Sequence, residues 1–150
     1  MIISSYGLSL ILAVIACVIG GVLGGLTLAR PGAVLGFPAP DVDTDAAPAG
    51  ASPGPLAEGR ALGGLLILSH ATAALFLGYQ SSVGAAMAFA LAMAWLGAAG
   101  GRAVSALIDK PQSPFNLGSL VFELLIAATL ALPFFNAGRL VVLRGHGMLV

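Results

Sequence analysis

Four uninterrupted apolar runs decide what this chain can fold into. They cover about residues 2–29, 61–79, 82–108 and 115–135. Each reaches the ~20 residues that a helix needs to cross ~30 Å of hydrocarbon. Backbone N–H and C=O groups find no water at that depth, so each run must satisfy them internally, as a helix does. The expectation is an all-α, four-helix transmembrane bundle, forming one membrane domain over residues 1–150. An even number of crossings puts both termini on one side of the bilayer. The first run lacks the basic opening of a signal peptide, and its apolar stretch is about twice the usual 7–15 residues, so it reads as a retained helix.

Composition agrees. Hydrophobic residues make up 59% of the chain and charged residues 8%, with a mean hydropathy of +1.04. A soluble domain carries roughly 25% charged residues. Six basic and six acidic side chains cannot wet a globule of this size, but they can line the two rims of a bundle whose sides face lipid. The balanced charge offers no footprint for nucleic acid. Cys17 is the only cysteine, which excludes an intrachain disulfide and a thiolate metal cluster.

The connections are unequal. Residues 30–60 are rich in Pro, Ala and Gly and include Asp41, Asp43 and Asp45. They read as a flexible loop with some polyproline character. Gln80, Ser81 and Ser82 form a tight helical hairpin. Pro111 and Pro114 end one helix and help to start the next. Residues 136–150, with Arg139, Arg144 and His146, read as a tail along the interface.

Helices in lipid associate through close backbone approach and interhelical hydrogen bonds. Gly20 and Gly24, overlapped by Gly21 and Gly25, form a doubled GxxxG in the first helix. Gly97 and Gly101 repeat that spacing in the third, beside a stripe of Ala90, Ala94 and Ala98. Either set is a candidate contact, within the chain or between chains.

Ionisable residues inside the apolar runs are the informative ones, because charge at membrane depth is costly and normally has a partner. Arg102 and Glu123 each lie ~9–10 Å along their helices from the same short connection, at 1.5 Å rise per residue. Antiparallel neighbours would bring them level, so they are expected to form a buried ion pair. Glu58, Arg60, Ser105, Asp109 and Asn116 gather near the same rim, and Ser119 joins them four residues before Glu123. Two readings fit this cluster. One is a polar pocket for an anionic headgroup or small ligand; the simpler is a structural network that pins helix ends together.

His70 sits near the midplane with no titratable partner at its own depth, so a neutral imidazole bonded to a serine or a backbone carbonyl is expected. Cys17 reads as a small apolar filler. Trp95 and the phenylalanines read as packing or lipid-facing groups. The sequence holds no phosphate-binding glycine loop, no HExxH and no GxSxG. No cofactor, metal site or catalytic set is expected.

Four short motifs carry a resemblance. Glu58-x-Arg60-Ala61-Leu62-Gly63-Gly64 opens the second helix. Gly101-Arg102-x-x-Ser105-x-x-x-Asp109-x-Pro111 closes the third. Phe115-Asn116-Leu117, followed by Phe122-Glu123-Leu124, begins the fourth. This order resembles the small bacterial four-helix membrane proteins grouped as domain of unknown function 4345, which are distantly similar to the DoxX-like group. The resemblance covers about residues 56–135, and the first helix fits by hydrophobicity. It implies a location in the bacterial inner membrane and brings no activity with it.

Orientation has two signals that oppose each other. Arg30, Arg60, Arg102 and Lys110 lie on the side of the long loop, against Arg139 and Arg144 on the side of the termini. Counted literally, they put the loop in the cytoplasm. The resemblance implies cytoplasmic termini, and the acidic, proline-rich loop suits the outside; the expectation follows these. The functional expectation is a non-enzymatic binding or accessory subunit, whose partners are the bilayer and other membrane subunits or a bound lipid. The alternatives are a small-molecule carrier and a membrane redox or lipid-modifying enzyme.

Overall fold

A computed structural model describes residues 5–32, 53–108 and 114–146, with side chains described over 5–32, 56–108 and 117–137. Among the described residues four long helices run: α1 (Ser5–Ala29), α2 (Pro53–Tyr79), α3 (Ser81–Ile108) and α4 (Pro114–His146). Among the described residues there is no strand. All four helices contain a span long and apolar enough to cross a membrane. The protein is a multi-pass, all-α membrane protein. The flexible-loop expectation falls mainly on residues 33–52, outside the described residues, as does the connection at 109–113.

Two helices outrun their apolar segments. α2 begins at Pro53 rather than at residue 61. Proline is tolerated in a first helical turn, where no N–H partner is needed, so Pro53 and Pro55 do not block the start. α4 begins on Pro114 for the same reason. It then continues to His146 through residues expected to be a tail. Its membrane-spanning stretch is Leu117–Ala137. Pro133 lies inside this helix and cannot donate to the Thr129 carbonyl.

The chain divides into two compact units: residues 1–17 with 72–150, and residues 18–71. The first unit contains the opening turns of α1, the end of α2, and α3 and α4. Its core is built from small side chains, among them Ala13, Ala16, Ala73, Ala88 and Ala92, closed by Ile126 and Leu130. Large apolar residues lie outside instead. Leu8, Ile11 and Ile15 of α1 and Leu107 and Ile108 of α3 are exposed. In water this arrangement would be unstable. In a bilayer lipid solvates the large side chains, and small ones let helices approach until dispersion forces hold them.

The α2–α3 hairpin shows how close that approach becomes. Gln80 is its only non-helical residue. Its N–H donates to Phe76 O at 2.8 Å, ending α2, and its carbonyl accepts from Gly84 N–H at 2.9 Å, opening α3. A Cβ on Gly84 would overlap the backbone of Phe76 and Leu77, so no other residue fits there without movement. Further along, α3 and α4 run antiparallel. Phe89 stacks on Phe134 with ring centroids 4.4 Å apart, and Trp95 meets Phe122 edge to face at 6.1 Å.

In the second unit α1 and α2 touch through glycine. A Cβ on Gly24 would lie 2.9 Å from Gly63 O and from Ile67 N, and one on Gly63 would lie 2.7 Å from Gly24 O. Gly20 receives the ring of His70 in the same way. The Gly20–Gly24 half of the doubled motif is therefore a contact within the chain. Gly21 and Gly25 have nothing within 4 Å.

The small-residue stripe expected on α3 makes no contact within the chain among the described residues. Gly97 and Gly101 have nothing within 4 Å, and Ala90, Ala94 and Ala98 are exposed. The face that packs carries Gly84, Ala88 and Ala92 instead. The two stripes differ by two residues, or about 200° around a helix of 3.6 residues per turn, so they point in nearly opposite directions.

Candidate functional site

The site lies where the last turns of α3 approach the first turns of α4. Arg102 is ~9 Å along α3 from Ile108, and Glu123 is ~9 Å along α4 from Leu117, at 1.5 Å per residue. Arg102 Nε donates to Glu123 Oε1 at 2.6 Å, so the expected pairing of these two residues is present. The partners are unequally placed. The Arg102 side chain is 39% exposed, whereas that of Glu123 is 5% exposed.

The pair is also satisfied on one side only. Arginine and carboxylate commonly meet as a two-pronged fork that uses both oxygens. Here the bond runs from Nε alone, and Glu123 Oε2 is buried without a hydrogen-bond partner among the described residues. An unsatisfied buried acceptor typically costs ~1–3 kcal/mol, and more when it is charged. The terminal nitrogens of Arg102, in turn, make no hydrogen bond to Glu123. The arrangement thus offers outward donors on a cation and an inward acceptor on a carboxylate, side by side.

The rest of the expected cluster divides. Ser105 is half-buried one turn beyond Arg102 on α3, and Ser119 is half-buried one turn before Glu123 on α4. Asp109 and the side chain of Asn116 lie outside the described residues. Glu58 and Arg60 are exposed positions on α2 and belong to the second compact unit. Trp95 and Phe122, read from the sequence as packing or lipid-facing groups, meet edge to face, and Phe122 directly precedes Glu123.

His70 has the bonding expected of it. It is 1% exposed, and its Nδ1–H donates to Leu66 O at 2.8 Å, with Ser69 Oγ 3.4 Å away. What sequence reasoning missed was the seat of its ring on Gly20. The signal was present as a glycine in a GxxxG motif at similar depth in the neighbouring helix. The buried hydroxyls of α1 bond their own helix: Thr27 to Leu23 O and Ser9 to Tyr6 O. Cys17 is buried in the apolar core. Among the described residues no three His, Cys, Asp or Glu side chains come together to hold a metal ion.

No curated protein and no solved structure matches the chain. A family model does, over residues 7–133. The match takes in Arg102 and Glu123 and extends through α1, beyond the motifs from which the resemblance was read. The chain belongs to the family described as domain of unknown function (DUF4345).

Proposed function

We propose that this protein is a non-enzymatic binding or accessory protein of the membrane, and that Arg102 and Glu123 form its ligand site. One observation carries this reading: Glu123 Oε2 is buried without a partner. A brace selected for stability alone would close both oxygens, since half-satisfied buried networks are worse than apolar packing. An acceptor left open beside a partly exposed cation is what a binding site keeps in reserve. The polar groups are few and lie near one end of two helices, which suits holding a ligand better than conducting one.

The location we propose is the bacterial inner membrane, with cytoplasmic termini and the residue 33–52 segment outside. Family membership and the acidic, proline-rich composition of that segment support this placement. Other membrane subunits and a bound lipid are the partners it implies. Purification in mild detergent, followed by mass spectrometry of everything retained, tests the reading. A stoichiometric lipid, small molecule or subunit that is lost from Arg102→Gln protein, or whose selection changes in Glu123→Gln protein, with helicity unchanged, supports it. Protein that carries nothing, or whose cargo ignores both substitutions, rejects the site.

A further inference from the structure

We infer, building on that reading, that the ligand carries an anionic group with a hydrogen-bond donor a few bonds away, as ethanolamine phosphate and glycerol phosphate do. The chemistry follows from the two halves of the pair. Arg102 uses Nε on Glu123 Oε1, and its terminal nitrogens match the oxygens of a phosphate. Glu123 Oε2 is a pure acceptor and needs a donor. An anion alone would satisfy the arginine and set a second negative charge beside the carboxylate. A cation alone would satisfy the carboxylate and repel the arginine. Only a ligand with both functions completes the site without leaving a buried charge worse off.

The unequal burial supplies the route. Arg102 is the outer partner and Glu123 the inner one. Oε2 is closed to water, so bulk solvent does not compete for it. An anion held by the terminal nitrogens of Arg102, with Nε still on Oε1, sets its own donor beside the carboxylate. The half-buried Ser119, one turn before Glu123 on α4, adds a hydroxyl on the same side. Both a phospholipid headgroup and a soluble phosphate ester have this chemistry.

The headgroup series tests the idea on the full, unaltered protein. Phosphatidylethanolamine, phosphatidylglycerol and phosphatidylcholine with identical acyl chains are offered together in mild detergent, and retained lipid is read by native mass spectrometry. Phosphatidylcholine keeps the phosphate but has no N–H or O–H donor. The expected result is about tenfold or greater preference for the first two, the fold-change of one hydrogen bond to a charged group. Glu123→Gln should erase that preference while phosphate lipids still bind. Arg102→Gln should release all three, and Arg102→Lys, which keeps the cation, should hold them. Equal retention of all three headgroups by the unaltered protein overturns the donor requirement and leaves the binding reading in place. Retention that ignores both Arg102→Gln and Glu123→Gln overturns the two together. Soluble esters then assign the source. Displacement of lipid by phosphoethanolamine, and not by phosphocholine, points to a soluble ligand. Lipid that stays bound with its headgroup preference intact points to the bilayer.

Discussion

Gly20 of α1 lies directly beneath the imidazole of His70 on α2, so close that a Cβ on the glycine would overlap the ring at Nε2 and Cδ2. The polar edge that a buried histidine must satisfy is turned back to Leu66 O on its own helix. The ring is packed against a residue with no side chain. This explains how a histidine is accommodated in a membrane-spanning helix: one nitrogen is bonded within the turn, and the ring replaces lipid contact with helix contact.

Gly20→Ala should therefore lower thermal stability in detergent, by about 1–3 kcal/mol if it behaves as other overpacked sites do. Gly21→Ala meets nothing within 4 Å and should be neutral or gain up to ~1 kcal/mol from helix propensity. Adding His70→Ala to Gly20→Ala should recover part of the loss, because the ring is the obstacle. Equal melting temperatures for Gly20→Ala and Gly21→Ala would remove the contact from the account.

A second glycine gives a harsher test. The Gly84 Cβ would meet backbone of Phe76 and Leu77 rather than a side chain that can turn away. Gly84→Ala should cost more than Gly20→Ala and should resist rescue by any single side-chain truncation in α2. Gly97→Ala and Gly101→Ala face open space and should not destabilise the isolated chain. A shift in oligomeric state caused by either one would identify that outward face as a contact between chains.

Topology is the next expectation. Four crossings place the α1–α2 connection on one face of the bilayer and the α2–α3 hairpin on the other. Single cysteines at Asp43 and at Ser81, in a Cys17→Ala background, should react with an impermeant maleimide from opposite faces of sealed vesicles. Reaction of both from one face would require α2 to leave and re-enter on the same side. The face on which Asp43 labels also decides the proposed orientation.

Much of this fold was legible because the bilayer writes it in length. An apolar run of ~20 residues has one satisfactory backbone conformation at membrane depth, and all four runs became helices. The Arg102–Glu123 pair was legible for a related reason: depth in an antiparallel hairpin can be counted from the connection. Helix ends were less so. Residues 53–60 and 136–146 continue their helices beyond the apolar limits, where hydropathy carries no signal. The within-chain packing face of α3 was not legible because glycine and alanine occur on both sides of a membrane helix. Four-residue spacing is the same for Ala90–Ala94 as for Ala88–Ala92; only the partner helix distinguishes them. The open oxygen of Glu123 could not be read at all, since whether arginine bonds through one nitrogen or two depends on side-chain geometry.

That geometry predicts an asymmetry. Removing the arginine strands a carboxylate whose side chain is 5% exposed; removing the carboxylate strands an arginine that is already 39% exposed. A partly exposed arginine can extend to the interface and recover water, whereas Glu123 has no comparable exit. Breaking a buried pair costs ~3–5 kcal/mol when the survivor stays buried, and much less when it is solvated. Arg102→Gln should thus destabilise the protein towards the lower end of that range, and Glu123→Gln by clearly less. The double substitution leaves no charge, so its loss should fall short of the sum. Melting temperatures of all four proteins in one detergent complete the double-mutant cycle. Strict additivity would mean that the 2.6 Å contact carries no energy. Equal single losses would mean that both charges are solvated alike, contrary to their burial. A coupling with Arg102→Gln as the costlier change would confirm that Glu123 is the inner partner and Arg102 the outer one.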